Sequence, residues 1–170
     1  MGGKLKMKNK KIKIIKIKIG EAKRKDINSI VELGKSLADF HTEIDNYYKS
    51  GEEQAESHRK WLLKNFGKRN FKVLIAKDRN KVLAYGIAGI RKPRSFVRPK
   101  KIGNIISVFV KEKYRRKGIG KQIFNKFLDW FKSQNIKHIE ILADRRNKIA
   151  IKAYKKYGFF EFQKKMRLDL

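Results

Sequence analysis

The segment from Ile105 to Phe131 constrains this chain most, because it joins an apolar strand to an amphipathic helix through a glycine-containing turn. Residues 105–110 are almost entirely apolar, as expected for a buried strand. The turn that follows contains Arg115, Arg116, Lys117, Gly118, Ile119, Gly120 and Lys121. Apolar residues then recur with the period of a helix that faces a core, at Ile123, Phe124, Phe127, Leu128 and Phe131. The order is therefore strand, turn, helix.

The start of that helix is suited to a phosphate or pyrophosphate group. The first backbone N–H groups of a helix have no partner within the helix, and the helix dipole favours negative charge beside them. Gly118 and Gly120 let the backbone approach a ligand without a Cβ in the way. Cationic side chains lie on both sides of these glycines. The turn therefore predicts a phosphate-binding site.

Two common nucleotide-binding turns do not fit these residues. A P-loop needs a glycine five residues before its Gly-Lys pair and a Ser or Thr directly after it. If Gly120-Lys121 is that pair, position 115 is Arg and position 122 is Gln. A Rossmann turn needs a third glycine, where this chain has Ile123. Both interpretations are excluded.

The pattern Arg-x-x-Gly-x-Gly after Val108, Phe109 and Val110 resembles the acetyl-coenzyme A motif of the GNAT superfamily of N-acetyltransferases. Downstream, Asn147, Tyr154 and Gly158-Phe159 resemble the second signature of that superfamily. The two motifs occur in the expected order, with a helix and a strand between them. The resemblance extends over most of the chain, although its motifs lie within residues 105–160.

This resemblance implies an acetyl-CoA-dependent N-acetyltransferase that moves an acetyl group directly to a primary amine. Candidate acceptors are a peptide amino terminus, a lysine, a polyamine or another small amine. The resemblance implies that residues 115–121 hold the pyrophosphate of the cofactor and that residues 108–110 pair with its pantetheine arm. The chain has no Cys, which excludes relay through an enzyme thiol.

Two further residues carry roles that the resemblance implies. Tyr154 matches the tyrosine that acts as general acid towards the sulfur, although packing in an apolar helix stripe also explains it. Asn147 can hydrogen-bond the pantetheine amides, cap the helix that starts after it, or do both.

The general base is harder to identify. The central strand from Asn104 to Lys111 has no carboxylate. Glu140 on the next strand is our candidate, and His138 lies on the same face, but both also fit as solvated strand residues. A water relay or a carboxylate from elsewhere stays open. Three scattered His and no Cys predict no metal site.

The order of patterns predicts a mixed α/β fold. Helices are expected at 26–40, 52–66, 118–132 and 148–157, and strands at 11–19, 71–76, 82–90, 105–110 and 137–143. The last two strands flank a helix and should be parallel, and residues 159–170 have room for two short strands. The resemblance implies a GNAT-like fold, with a largely antiparallel mixed sheet of about six to seven strands, a splayed parallel pair and about four helices.

The chain length of 170 residues predicts one domain over 11–170, and the lysine-rich composition of residues 1–10 predicts a basic, disordered tail. Lysines interrupt the apolar runs near the N-terminus, and the longest apolar stretch is too short to span a bilayer. We therefore expect a cytoplasmic protein with no membrane partner. A homodimer stays open.

Charge suggests two kinds of partner. The net charge of +30 attracts polyanions, so an alternative function is a basic nucleic-acid- or ribosome-binding protein on the same fold with little catalysis. The other explanation of the charge is a solvated lysine-rich surface without a specific partner. One segment is instead acidic, with Asp39, Glu43, Asp45, Glu52, Glu53 and Glu56. If it forms a wall of the acceptor site, the acceptor amine is a cation; helix-terminal chemistry is the other explanation.

Overall fold

The computed structural model describes residues 17–170, and its central feature is a five-stranded sheet with helices on both faces. The elements in chain order are β1 (Ile17–Glu21), a 3-10 turn (Arg24–Asp26), α1 (Ile27–Ile44), α2 (Gly51–Asn65), β2 (Phe71–Asp78), β3 (Lys81–Arg91), β4 (Ile102–Val110), a 3-10 turn (Glu112–Tyr114), α3 (Ile119–Ser133), β5 (Ile139–Ile141) and α4 (Lys148–Lys156). The predicted tail at 1–10, and residues 11–16 of the first predicted strand, lie outside the described residues.

The strand order β1-β2-β3-β4-β5 follows the chain, and all neighbours are antiparallel except β4 and β5. The parallel pair is connected through α3, as a strand–helix–strand unit requires. This arrangement confirms the predicted mixed α/β fold, with its largely antiparallel sheet, one parallel pair and four α-helices.

Each face of the sheet has its own apolar core. On one face, α3 buries Ile123, Phe127 and Phe131 against β2, β3 and β4. On the other face, Ile30 of α1 and Leu62 of α2 pack against β3. The helical period of α3 was visible in the sequence because this helix has one buried side and one solvated side.

The predicted number of strands was too high. The described part of the chain contains five strands rather than six to seven, and residues 159–170 form no strand. Phe160 and Leu168 in this tail are more than four-fifths exposed. Alternating apolar residues make a segment compatible with a strand, but a strand also needs a neighbour that supplies hydrogen bonds. Within residues 17–170, no strand pairs with this tail.

Two helix starts are built differently from each other. Ser50 caps α2 by accepting from the N–H of Glu53, whose carboxylate accepts in return from the N–H of Ser50 at 2.8 Å. Asp26 precedes α1 as predicted, but its side chain accepts instead from the N–H of Lys23 at 2.8 Å and from Lys77 Nζ at 2.6 Å. Asp26 therefore ties the start of α1 to β2.

None of the helices within residues 17–170 is both long enough and apolar enough to cross a membrane.

Candidate functional site

The sheet opens between β4 and β5. Their pairing joins residues 103–105 to residues 139–141 and ends there, whereas β4 continues to Val110. The register between β3 and β4 shifts at the same place, because Ile87 lies opposite Ser107 while Ala88 lies opposite Ile105. Ile106 is therefore the extra residue of a β-bulge, and the parallel strands separate beside it.

Val108 and Val110 turn their backbone groups towards this opening. The N–H of Lys111 donates to the carbonyl of Leu83 on β3 at 3.0 Å. Since successive residues of a strand direct their backbone groups to opposite sides, residues 108 and 110 face away from β3. An extended chain can therefore be added here as a further strand.

Phe109 and Arg115 border the same opening, but contacts with the rest of the protein hold both side chains. Phe109 is buried on the α1 and α2 side of the sheet, with its ring centroid 6.4 Å from that of Tyr85. Arg115 folds back onto β4, where its Nε donates to the carbonyl of Val110 at 3.0 Å. The structure thus places Arg115 at the end of β4, between the strand and the glycine turn.

The glycine turn is open to solvent. Gly118 precedes α3 with a φ of 76°, a left-handed conformation that glycine adopts without strain. A Cβ built on Gly118 or Gly120 would meet no atom within 4 Å, so the space above the first turn of α3 is free. The side chains of Arg116, Lys117 and Lys121 around it are exposed. These residues therefore fit a diphosphate group.

Ile119 anchors this turn from below. Its side chain is buried in the core and fixes the first turn of α3 against the sheet. The backbone N–H groups above it consequently have a fixed direction, as an anion site requires.

Helix α4 brings the second motif to the same side of the sheet as α3. The Tyr154 ring packs 5.7 Å from Phe124 and 6.2 Å from Phe159, between centroids. Burial raises the pKa of the Tyr154 hydroxyl, and Tyr157 adds to the rise, so the group keeps its proton at neutral pH. Asn147 caps α4, since its side-chain oxygen accepts from the N–H of Ala150 at 3.1 Å.

Glu140, the predicted base, lies on β5 and is engaged by a cation. Arg91 donates to its carboxylate at 2.7 Å. His138 lies just before β5 and is exposed. Neither residue lines the cavity described below, and the assignment of Glu140 as base stays a prediction.

A cavity of about 500 Å³ lies between α1, α2 and the bulge of β4. Among its lining residues are His41, Tyr48, His58, Tyr85, Ile106 and Ser107. No motif in the sequence identifies His41 and His58 as a pair. They lie on different helices, so no motif spacing relates them.

The cavity lining is largely neutral. Burial lowers the pKa of His41, although the Asp144 carboxylate partly opposes the effect. Burial also lowers the pKa of His58. It raises the pKa of Tyr85 to about 12, against the effect of its hydrogen bond with Ser107. Both imidazoles are therefore uncharged at neutral pH and able to accept a proton.

An ion-pair network connects the α1–α2 loop to the segment after β5. Arg146 donates to Asp45 at 2.8 Å and to Asp144 at 2.8 Å. The hydroxyl of Tyr48, which lines the cavity, donates to Asp144 at 3.1 Å. Hydrogen bonds from Arg146 hold the pKa of Asp144 well below its usual range. The network thereby fixes one wall of the cavity.

The acidic segment mostly has structural roles. Asp39 accepts from the N–H of Gly51 at 2.7 Å, Glu52 pairs with Lys35 at 2.7 Å, and Glu53 belongs to the cap of α2. Within residues 17–170, none of the six acids lines the cavity. No group of three or more potential metal ligands occurs in this same part of the chain.

Comparison with known proteins identifies related sequences and folds. The model of the acetyltransferase (GNAT) family matches residues 35–159. The uncharacterized N-acetyltransferase MJ1207 of Methanocaldococcus jannaschii is 27% identical over 128 residues, which are 69% of this chain and 50% of that protein. The chain therefore spans about half the length of this curated relative.

Two solved structures show the same fold. A tetramutant of the BH1408 protein from Bacillus halodurans superimposes with a TM-score of 0.77 at 23% identity, covering 89% of this chain and 99% of that one. The aminoglycoside N-acetyltransferase AAC(6')-Iy in complex with CoA gives a TM-score of 0.73 at 15% identity, covering 91% and 94%.

Proposed function

Since the chain belongs to the GNAT acetyltransferase family, we propose that it transfers an acetyl group from acetyl-CoA directly to a primary amine. The opening between β4 and β5 is the observation that carries this proposal. It is flanked by the glycine turn of α3 and by Tyr154 on one face, and by the cavity at Ile106 on the other. A donor and an acceptor can therefore meet there from opposite sides.

The chain's own residues would hold the donor along this opening. The N–H groups at the start of α3, with Arg116, Lys117 and Lys121, would bind the diphosphate. Val108 and Val110 would pair with the pantetheine amides as a neighbouring strand does, and a backbone N–H at the bulge would polarise the acetyl carbonyl. The complex of AAC(6')-Iy with CoA supports this choice of donor.

Three further residues would act on this arm or support its site. Tyr154 would give its proton to the departing sulfur, which suits a hydroxyl that stays protonated at neutral pH. Arg115 and Asn147 would support the site, Arg115 by fixing the end of β4 and Asn147 by capping α4.

The acceptor would enter through the cavity between α1 and α2. A peptide amino terminus, a lysine, a polyamine or another small amine all remain candidates. AAC(6')-Iy, an aminoglycoside N-acetyltransferase, was also solved with the bisubstrate analogue CoA-S-monomethyl-acetylneamine. A small amine acceptor on this fold therefore has a precedent.

An amine panel read by release of free CoA thiol tests the proposal. We expect thiol release that depends on at least one amine, and an acetylated product of the corresponding mass. Acetyl-CoA should also raise the melting temperature, because it binds the folded state. A chain that binds acetyl-CoA no better than inorganic pyrophosphate, and releases no thiol with any amine, would contradict the proposal.

A further inference from the structure

His58 lies in the cavity beside the β4 bulge, and we propose that it is the general base that takes a proton from the acceptor amine. This inference rests on the acetyl transfer proposed above. An alkyl amine has a pKa near 10.4, as lysine does, so it arrives protonated and must lose a proton before it attacks. The reaction needs a proton acceptor on the acceptor side of the sheet.

The backbone of α1 provides the space for the His58 ring. A Cβ built on Gly34 would lie 2.6 Å from Cε1 and 2.7 Å from Nδ1 of His58. Any side chain at position 34 would displace the imidazole, so the ring lies against the bare backbone of α1. On α2 the ring stacks on Trp61, with 6.0 Å between the ring centroids. The position of the imidazole is therefore set by two helices.

The same contacts connect His58 to the opening in the sheet. The Cβ position of Gly34 lies 3.7 Å from the Tyr85 hydroxyl. Tyr85 lines the cavity together with Ser107, the residue directly after the bulge at Ile106, and Ser107 acts on the pKa of the Tyr85 hydroxyl. His58, Tyr85 and the bulge therefore belong to one cluster, on the side from which an amine would approach.

The charge state of His58 suits this role. Burial lowers its pKa, so one ring nitrogen carries a free electron pair at neutral pH. The other titratable groups that line the cavity are His41 of α1, Tyr48 of the α1–α2 loop and Tyr85 of β3. His41 lies with Tyr48, 5.6 Å between ring centroids, where the charge of Asp144 acts on it. His58, in contrast to His41, has its imidazole ring close to Tyr85.

The proton and electron changes balance in this scheme. The ammonium gives one proton to the unprotonated ring nitrogen of His58, and His58 later releases it to solvent. The freed electron pair of the amine forms the new C–N bond, and the C–S electrons leave with the sulfur. The nitrogen loses a second proton as the amide forms, and the sulfur gains one. The sum is an amide, free CoA thiol and one proton.

Substitution of the two histidines provides a matched test. We expect His58→Gln to lower kcat/KM at pH 7 by about 100-fold or more, the usual contribution of a general base. We also expect it to remove the acid limb of the pH profile, while His41→Gln keeps that limb. In His58→Ala, free imidazole should restore part of the turnover. Acetyl-CoA affinity, measured by calorimetry, should stay within about twofold of the wild type in both Gln variants.

Each outcome has a separate meaning. If the wild type releases thiol and His58→Gln does so with an unchanged pH profile, His58 is not the base, while acetyl transfer stands. If the wild type releases no thiol with any amine, the proposed function fails and this inference fails with it.

A measurement on the wild type covers the case in which the variants do not fold. The pKa of His58, followed by NMR, should coincide with the acid limb of kcat/KM. A clear mismatch would overturn the assignment.

Discussion

Tyr154 and Tyr157 offer a direct comparison of a proposed catalytic hydroxyl with a packing one. Both rings contact Phe124, at 5.7 Å and 4.4 Å between centroids. We expect Tyr154→Phe to lower kcat by about 100-fold or more, because the departing sulfur loses its proton donor. The packing of the ring and the acetyl-CoA affinity should be retained. Steady-state kinetics and calorimetry measure both.

Tyr157→Phe serves as the control for this prediction, and its turnover should stay close to that of the wild type. Full turnover in Tyr154→Phe would show that Tyr154 is not the general acid. It would not contradict the proposed cofactor site.

Asp26 is a residue whose effect should appear in stability and not in catalysis. Burial raises the pKa of its carboxyl, but hydrogen bonds from Lys77 and the Lys23 backbone outweigh that effect, so the pKa is lowered overall. The ordinary value is about 3.9. Since the folded-state pKa is the lower one, this carboxylate stabilises the fold fully above about pH 4, and the contribution is lost as pH falls through the folded-state pKa.

We therefore expect Asp26→Asn to lower the free energy of unfolding at pH 7 by about 1–3 kcal/mol. Urea denaturation would show this as a lower midpoint concentration. The difference from the wild type should shrink as pH falls below 4. A difference that is the same at pH 3 and pH 7 would show that the charge of Asp26 plays no part.

At the scale of elements, the start of α3 contains two glycines with different roles. The fold requires glycine at position 118, whereas only a bound ligand would require it at position 120. Gly118 has a positive φ, whereas Gly120 lies in the first turn of the helix, and a Cβ on either meets open space. We expect Gly120→Ala to leave stability unchanged or raise it by about 0.5–1 kcal/mol, because alanine favours a helix.

The same Gly120→Ala change should weaken acetyl-CoA binding by about tenfold or more, since the methyl group would enter the space that the diphosphate needs. Thermal unfolding without ligand and calorimetry with acetyl-CoA separate the two effects. Gly118→Ala is the comparison, and it should lose stability by about 1–2 kcal/mol through backbone strain. Undiminished binding by Gly120→Ala would place the diphosphate elsewhere.

At the scale of the whole molecule, the net charge of +30 makes binding to polyanions a competing function. Counterion release makes such binding fall steeply with salt, with a slope set by the number of phosphates contacted. A nucleotide-sized cofactor held by a few cations and backbone N–H groups should show a much shallower slope.

We expect acetyl-CoA affinity to change by less than about tenfold between 50 mM and 200 mM salt, and affinity for a short RNA duplex to fall by about 10³-fold or more over the same range. Fluorescence anisotropy and calorimetry would give both slopes. Tight RNA binding that persists at 200 mM salt, together with absent thiol release, would favour the nucleic-acid-binding function.

The local patterns of the chain were sufficient for most of the fold. The period of α3, the apolar runs of β3 and β4, and the turn between Gly118 and Gly120 each depend on neighbours within a few residues, and the structure has all of them. The strands expected in residues 159–170 are absent, because pairing depends on a partner edge that local alternation does not supply. For the same reason, local patterns did not predict the ion pair between Arg91 and Glu140, which are 49 positions apart in the sequence.

The family motifs and the strand–turn–helix that carries them could be read from residue order alone, since sterics and backbone hydrogen bonding act over short distances along the chain. The cavity between α1 and α2 could not be predicted in this way. Gly34, His58 and Tyr85 belong to α1, α2 and β3, and they meet because both helices pack on one face of the sheet. Burial there also sets the charge of the imidazoles, and burial is a property of the packed molecule.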